Sequence, residues 1–123
     1  MDEKRSKLKQ EYKQTLRPMG IYQIQNQVNG KRFIAASPNL PGSFNSARFQ
    51  LKQHCFLRNR ELQQDWDRYG PENFTFEVID ELKPVDDPLH DYKEDLKALE
   101  ELWLEKLQPY GERGYHKMLL QKK

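Results

Sequence analysis

The stretch from residue 20 to residue 37, GIYQIQNQVNGKRFIAAS, decides the fold of this chain. Side chains alternate between two faces along residues 20–26, which is the period of a β-strand. Asn29-Gly30 is a strong hairpin-turn dipeptide, and residues 31–37 follow as the return strand. The segment therefore predicts an antiparallel β-hairpin.

The residues after the hairpin predict two helices and a third strand. Residues 38–42, PNLPG, are typical of a turn, and apolar residues then recur at helical spacing from residue 43 to about residue 55. A second helix is expected over about 59–69, where Gly70 ends it. The segment FTFEVID at 74–80 predicts the third strand.

Two more helices are expected towards the ends of the chain. Residues 89–107 give the best amphipathic pattern in the sequence, and GYHK at 114–117 predicts a short extended piece after it. Residues 2–16 predict a charged helix with few apolar positions, ended by Pro18. The order of elements predicts an α+β fold, with a small three-stranded antiparallel sheet, flanking helices and an extra N-terminal helix.

Composition excludes several classes of protein. Of the 123 residues, 36% are hydrophobic and 33% are charged, so we expect one small core inside a heavily charged surface. No apolar run approaches the ~18 residues that cross a bilayer, and no secretory signal is apparent at the N-terminus. A single cysteine, Cys55, excludes an internal disulfide and a cysteine-based zinc site. We expect a buried thiol and a cytoplasmic protein without a membrane segment.

Charge is distributed unevenly along the chain. Residues 31–68 carry seven Lys or Arg against three acids, whereas residues 80–101 carry nine acids against three Lys. If the basic segments share a face, that face can approach a polyanion. Ordinary solvated helix faces explain the same pattern equally well, so charge alone leaves the partner open.

The hairpin and the elements after it resemble the GIY-YIG nuclease domain. The GIY triplet is intact at residues 20–22, and FIA at residues 33–35 stands where the family carries Tyr-Ile-Gly. The turn VNGKR, the helix ELQQDWDRYG, the strand FTFEVID and the helical LEELW keep the order and spacing of the family. The loop at residues 38–42 and the Phe-rich helix after it also resemble a bacterial subgroup of small, free-standing members.

The resemblance divides the chain into three parts. Residues 1–18 form an N-terminal charged helix, residues 19–117 form the GIY-YIG-like domain, and residues 118–123 form a basic tail. The family hydrolyses phosphodiesters with one divalent metal. The resemblance therefore implies a nucleic-acid partner, DNA above all, and one Mg²⁺ or Mn²⁺ ion.

Two residues match family positions that carry chemistry. Tyr22 matches the hairpin tyrosine that helps to activate water, although a buried hairpin aromatic explains it equally well. Glu100, three residues before Trp103, matches the glutamate that holds the metal. A solvated carboxylate beside Glu101 is the alternative for that position.

Other positions depart from the pattern of the family. Phe33 replaces the second tyrosine and lacks the hydroxyl that can pass a proton. Ala35 replaces the glycine, and its methyl costs about 1 kcal/mol if the backbone φ there is positive. The arginine of the family is replaced by Ser43 or Phe44, and the histidine four residues after it by Ala47 or Arg48. The other histidine is replaced by Leu57, and the final asparagine by His116.

Three residues are candidates to compensate for these losses. Arg48 lies one turn further along the same predicted helix as the missing arginine. His54 and His116 carry imidazoles that can replace the lost imidazole or amide groups.

The substitutions predict a nucleic-acid-binding domain whose metal-dependent hydrolysis is weak or lost, because each missing proton-transfer group costs ~10²–10⁴-fold in rate. Basic side chains expected to bind phosphate near the pocket are Lys31, Arg32, Lys52 and Arg58.

Two alternatives stay open. The acids of residues 80–101 favour a non-catalytic interaction domain, whose N-terminal helix is a candidate to dock on a protein partner or on a second copy. The other alternative is an active nuclease with Arg48, His54 or His116 in a substituted role. An open cleft that contains Tyr22 and Glu100 and is surrounded by Lys31, Arg32, Arg48 and Arg58 would favour nucleic-acid binding. A cleft filled by Phe33, Leu57 and their neighbours would favour the interaction domain.

Overall fold

The computed structural model describes residues 17–117, and their fold is α+β, as the sequence predicts. A three-stranded antiparallel sheet has the strand order β2-β1-β3, and helices pack on both of its faces. The elements are β1 Gly20–Asn26, β2 Arg32–Ser37, α1 Leu40–Lys52, α2 Arg60–Tyr69, β3 Phe74–Glu81 and α3 Lys93–Leu107.

The predicted hairpin forms, and β1 becomes the central strand of the sheet. The Asn29 side chain accepts a hydrogen bond of 3.0 Å from the backbone N–H of Lys31, which closes the turn. Gly30 follows with a φ of +79°, a conformation that glycine adopts without steric cost. The two edge strands, β2 and β3, therefore both depend on β1 for their pairing.

One face of the sheet carries the main hydrophobic core. Tyr22, Ile24 and Phe33 project from β1 and β2 and pack under α1 and α2. Leu62 and Trp66 project from one face of α2 and are buried against them. The opposite face has a smaller apolar cluster under the start of α3, built on Met19, Tyr92 and Leu96.

Helix α1 begins earlier than the sequence predicts, at Leu40 inside the PNLPG segment. The Asn39 side chain accepts a hydrogen bond of 3.1 Å from the N–H of Gly42 and caps the helix. Pro41 lies in the first turn, where its missing N–H leaves no helical hydrogen bond unmade. The turn-forming residues 38–42 therefore also start a helix.

The other ends of two helices also differ from the prediction. Helix α1 ends at Lys52 rather than near residue 55, and His54 follows with a φ of +59°. Helix α3 begins at Lys93 rather than at Leu89, whose side chain is 91% exposed. The 89–92 segment precedes the helix and is a loop.

Cys55 is exposed, which corrects the prediction of a buried thiol. Because α1 ends three residues earlier, Cys55 lies in the loop between α1 and α2. The next residue, Phe56, takes the buried place and contacts the ring of Phe33.

Three sequence predictions lie outside the described residues: the N-terminal helix at 2–16, most of the segment 1–18 that contains it, and the basic tail at 118–123. Within residues 17–117, none of the helices has the length and apolar character needed to cross a bilayer.

Replacing Gly20 by alanine is expected to destabilise the fold by about 3 kcal/mol or more. A Cβ at Gly20 would collide with the backbone of Asp80 on β3, where the pairing of β1 and β3 is already irregular. Gly30→Ala is the matched control, because its Cβ meets nothing within 4 Å. We expect Gly30→Ala to cost only the ~1–2 kcal/mol of a left-handed residue. Urea unfolding measures both, and equal losses would contradict the clash.

Candidate functional site

The outer edge of strand β2 brings two candidate site residues together. The backbone N–H of Ile34 donates a hydrogen bond of 2.8 Å to Nε2 of His116. The backbone of Ala36, two residues further along the strand, interacts with the Glu100 carboxylate. Alternate residues of an edge strand direct their backbone groups to the same side, about 7 Å apart. His116 and Glu100 are therefore neighbours along this edge.

The segment that carries His116 runs beside β2. The N–H of Tyr115 donates a hydrogen bond of 2.9 Å to the carbonyl of Arg32, and Gly114 forms a parallel bridge with the same residue. The short extended piece predicted at 114–117 is thus present as isolated bridges. It places His116 beside Ile34 at the edge of β2.

Arg58 reaches the site from the loop between α1 and α2. Its Nη1 lies 3.4 Å from the hydroxyl of Tyr22, to which it donates. Its guanidinium carbon lies 5.6 Å from the centroid of the Phe33 ring. The same charge opposes the burial that raises the pKa of Glu100 and adds to the burial that lowers the pKa of His116. Arg58 therefore interacts with Phe33, Glu100 and His116 at this edge of the sheet and with Tyr22 on the central strand.

Tyr22 is almost fully buried, with 2% of its surface exposed. Burial raises the pKa of the Tyr22 hydroxyl above its usual 10.0, and the Arg58 guanidinium opposes that rise. The phenol is therefore protonated at neutral pH. Its hydroxyl is connected to the site by the hydrogen bond that Arg58 donates to it.

Phe33 and Ala35 show what the altered second triplet does. The Phe33 ring is buried and stacks on the imidazole of His116, with centroids 5.2 Å apart and planes 5° apart. Ala35 is fully buried in the core, and its φ is not positive. Its methyl therefore carries none of the conformational cost that a glycine replacement can have.

Glu100 is the carboxylate that this edge offers to a cation. It is half-buried, and burial raises its pKa while Arg58 and the Ala36 backbone oppose the rise. Among residues 17–117, no cluster of three or more His, Cys, Asp or Glu is placed to hold a metal ion. A single carboxylate suits Mg²⁺, which keeps several waters and binds through one or two carboxylates and substrate phosphate. The donor set thus fits a water-rich Mg²⁺ site and does not fit zinc.

His116 presents a hydrogen-bond donor to the site. Because Nε2 accepts the N–H of Ile34, the neutral ring carries its proton on Nδ1. Burial lowers the pKa of His116, the Ile34 backbone opposes this effect, and Arg58 acts in the same direction as burial. A neutral imidazole held in this way has one acceptor and one donor, as the side-chain amide of an asparagine does.

An open cleft of about 550 Å³ lies over Arg58, Glu100 and His116, whereas Tyr22 is not among the residues that line it. Three of its lining residues are cationic and two are acidic. The lining residues are Phe33, Ile34, Leu57, Arg58, Asn59, Arg60, Glu61, Glu100, Tyr115, His116 and Lys117. A second cavity, of about 700 Å³, shares Glu61, His116 and Lys117 with it, so the two form one groove along the 114–117 segment.

Comparison with solved structures identifies the fold. The catalytic domain of the homing endonuclease I-TevI superposes with a TM-score of 0.65 at 22% identity, over 79% of this chain and 95% of that domain. A mutant of the catalytic domain of intron endonuclease I-TevI gives 0.61 at 21% identity, over 74% and 84%. The fold is GIY-YIG-like. No protein-family model and no curated protein matches the sequence.

Within this GIY-YIG-like fold, Arg48 does not take the place beside Tyr22. Its guanidinium carbon lies 4.4 Å from the centroid of Phe76 on β3, the strand at the other edge of the sheet from β2. Arg58 makes the contact with Tyr22 instead. The reason is packing, since the aromatic side chains of α1 and β3 hold Arg48 on their own surface.

The remaining predicted residues lie around the site or away from it. His54 forms a hydrogen bond of 2.7 Å with Asp67 and does not line the cleft. Lys31 pairs with Glu61 at the second cavity. Arg32 is half-buried in β2, and Lys52 is exposed in the last turn of α1.

Two residues for which the sequence predicts no role support the site. Asn59 caps α2 and lines the cleft, and Tyr115 is buried beside it. The capping role of Asn59 has a sequence signal, because an asparagine directly precedes the helical pattern. The contacts of Tyr115 join residues far apart in the chain, and no local pattern reveals them.

We expect acidification to destabilise the protein in part through His116. Its folded-state pKa is lowered, so as the pH falls below about 6.5 the unfolded chain takes up the proton first. The stability present above that pH is then lost as the pH falls. His116→Asn keeps one donor and one acceptor but does not titrate. Urea unfolding at about pH 7.5 and about pH 5.5 should therefore show a smaller loss in His116→Asn.

The other histidines are the same in both proteins, so they cancel in this comparison. An equal loss of stability in the two proteins would show that His116 is not held neutral by the fold.

Proposed function

We propose that the cleft binds a phosphodiester of nucleic acid and that its metal-dependent hydrolysis is slow or absent. The observation that carries this proposal is the position of Arg58. Its guanidinium touches Tyr22 while its charge acts on both Glu100 and His116. One cation thus lies beside Tyr22 and Glu100, the two residues that match family positions, and beside His116, which replaces the asparagine of the family.

Two donors in the cleft suit a phosphate group. A guanidinium has five N–H donors in a planar fork that matches phosphate geometry, and the contact of Arg58 with Tyr22 uses one of them. The Nδ1–H of His116 is a second donor, set by the bond that Ile34 makes to Nε2. A phosphate between them would receive hydrogen bonds from two sides of the cleft.

The surroundings of the cleft suit a polymer better than a small anion. The cleft continues into the second cavity along residues 114–117, and Arg60 and Lys117 add positive charge beside Arg58. Contacts of this kind bind the backbone of nucleic acid without sequence preference and weaken with salt. DNA is the form we propose.

Hydrolysis lacks proton-transfer groups. Tyr22 is buried and its pKa is raised, so its hydroxyl is a poor base at neutral pH. Phe33 has no hydroxyl. The lone pair on Nε2 of His116 already accepts a hydrogen bond from the backbone N–H of Ile34, so it is not available as a base. Each absent proton-transfer group typically costs ~10²–10⁴-fold in rate.

Glu100 is the residue that would hold a single Mg²⁺ or Mn²⁺ ion. Such an ion polarises a phosphoryl oxygen and lowers the pKa of bound water. The contribution of the chain would be to orient the phosphate through Arg58 and His116 and to keep the Glu100 carboxylate at the edge of β2.

An active nuclease is the second candidate, and one observation favours it. The hydroxyl of Tyr22 contacts Arg58, whose charge also acts on Glu100, and this contact supplies an arginine where the sequence pattern had lost one. If Arg58 performs the role of that arginine, fewer groups are missing than the sequence suggests.

Removal of the Arg58 charge is expected to weaken nucleic-acid binding about 10-fold or more, because hydrogen bonds to charged groups contribute about 1.5–3 kcal/mol each. Wild-type affinity should be micromolar and should fall steeply between ~50 and ~200 mM salt. Fluorescence anisotropy with labelled single-stranded and double-stranded DNA measures both effects for Arg58→Ala.

Arg48→Ala is the matched control, because it removes the same charge from a guanidinium that stacks on Phe76. A larger loss of DNA affinity in Arg48→Ala than in Arg58→Ala would show that Arg48, and not Arg58, makes the phosphate contact. Absence of binding to DNA and to RNA of several forms would favour the non-catalytic interaction domain instead.

Incubation with Mg²⁺ or Mn²⁺ and mixed nucleic acids is expected to give cleavage that is slow or undetectable. Any cleavage from this site should fall ~10²-fold or more in Tyr22→Phe and in Glu100→Ala. Cleavage unchanged in both variants would indicate a contaminant. Rapid, metal-dependent cleavage abolished by both would overturn the proposal of lost hydrolysis and establish the active nuclease.

A further inference from the structure

Asn59 connects the two segments that supply the donors of the cleft. Its Oδ1 accepts a hydrogen bond of 2.9 Å from the N–H of Leu62, which caps α2. Its Nδ2 donates a hydrogen bond of 2.9 Å to the carbonyl of Tyr115. Asn59 directly follows Arg58, and Tyr115 directly precedes His116.

We propose that Asn59 is a positioning residue that fixes His116 relative to Arg58 across the cleft. The inference deepens the proposed function, on which it rests for its ligand. Asn59 touches neither donor atom itself, and it acts through the backbone on either side of the cleft.

The two segments need such a connection because neither belongs to a long regular element. Arg58 lies in the loop between α1 and α2, and His116 lies in a segment that joins the sheet only by isolated bridges. A side chain in the first position before α2 is held firmly, because the helix uses its oxygen as a cap. The amide nitrogen of the same side chain then transmits that position to the 114–116 segment.

Tyr115 is held at its other end as well. Its hydroxyl donates a hydrogen bond of 2.8 Å to Asp65 on α2 and accepts one of 3.0 Å from the side chain of Asn26. The ring end of Tyr115 is therefore fixed independently of Asn59. Loss of the Asn59 amide should release the carbonyl of Tyr115 while the segment stays attached, so the effect should concentrate on the next residue, His116.

Asn59→Ser tests this role. Serine keeps an oxygen that caps the helix, but its side chain is too short to donate to the Tyr115 carbonyl. Asn39→Ser is the matched control, because Asn39 caps α1 through the same kind of bond to Gly42 and lies outside the 114–116 segment. The two variants share the chemical change and the capping position, and they differ in the bond to Tyr115.

The first readout is the imidazole of His116 in the full chain, observed by ¹⁵N NMR without any ligand. We expect Asn59→Ser to shift the Nδ1 and Nε2 signals towards a mixture of tautomers, because the bond from Ile34 to Nε2 becomes less well held. Asn39→Ser should leave them unchanged. This readout does not depend on nucleic-acid binding, so it decides the inference even if the proposed function fails.

The second readout is affinity for a labelled DNA oligonucleotide in a double-mutant cycle with His116→Ala. In the wild-type background Asn59→Ser should weaken binding about fivefold, the equivalent of one hydrogen bond of about 1 kcal/mol. In the His116→Ala background the same change should have little further effect.

Two results would overturn the inference. One is an Asn59→Ser protein whose His116 signals match those of the wild type. The other is a loss of affinity that is equal in both backgrounds, which would mean that Asn59 acts without His116. If Asn59→Ser melts well below Asn39→Ser, Asn59→Asp, which keeps a strong cap and lacks the donor, replaces it in both readouts.

Discussion

The outer edge of strand β2 imposes the constraint on which the site depends. An edge strand presents unpaired backbone groups, and folded proteins cover them with side chains or other segments. Here the carbonyl of Arg32 accepts the N–H of Tyr115, the N–H of Ile34 meets His116, and the backbone of Ala36 meets Glu100. Satisfying the backbone of one strand therefore also gathers an imidazole and a carboxylate at regular spacing along one line.

Arg58 shows how one guanidinium serves packing and electrostatics together. It lies against the ring of Phe33 and donates to the buried hydroxyl of Tyr22. Its charge opposes the burial that raises the pKa of Glu100, and it adds to the burial that lowers the pKa of His116. Burial is the larger cause at both residues, so Arg58 favours the ionised acid against burial and the neutral imidazole together with burial.

Much of the fold could be predicted from the sequence, because its signals are local. Alternation and the Asn29-Gly30 dipeptide predict the hairpin, and helical spacing predicts α2. The start of α1 differed because Asn39 uses a turn-forming segment as a helix cap. The place of Arg58 beside Tyr22, rather than Arg48, follows from contacts between residues 36 positions apart. A motif match assigns each function to a fixed position in the sequence. It therefore does not reveal a guanidinium that a different loop places beside the same tyrosine.

Phe33 shows how such a site can keep the support for its binding groups and still lack a group for hydrolysis. The ring keeps both of its neighbours, His116 stacked on it and Arg58 over it, so the donors proposed to meet phosphate retain their support. The lost hydroxyl removes only a proton route, since a phenyl ring packs as a tyrosine ring does. A substitution that spares geometry and removes proton transfer lowers the rate of a chemical step more than it lowers affinity. The altered second triplet therefore supports the proposal of a domain that binds a phosphodiester without cleaving it quickly.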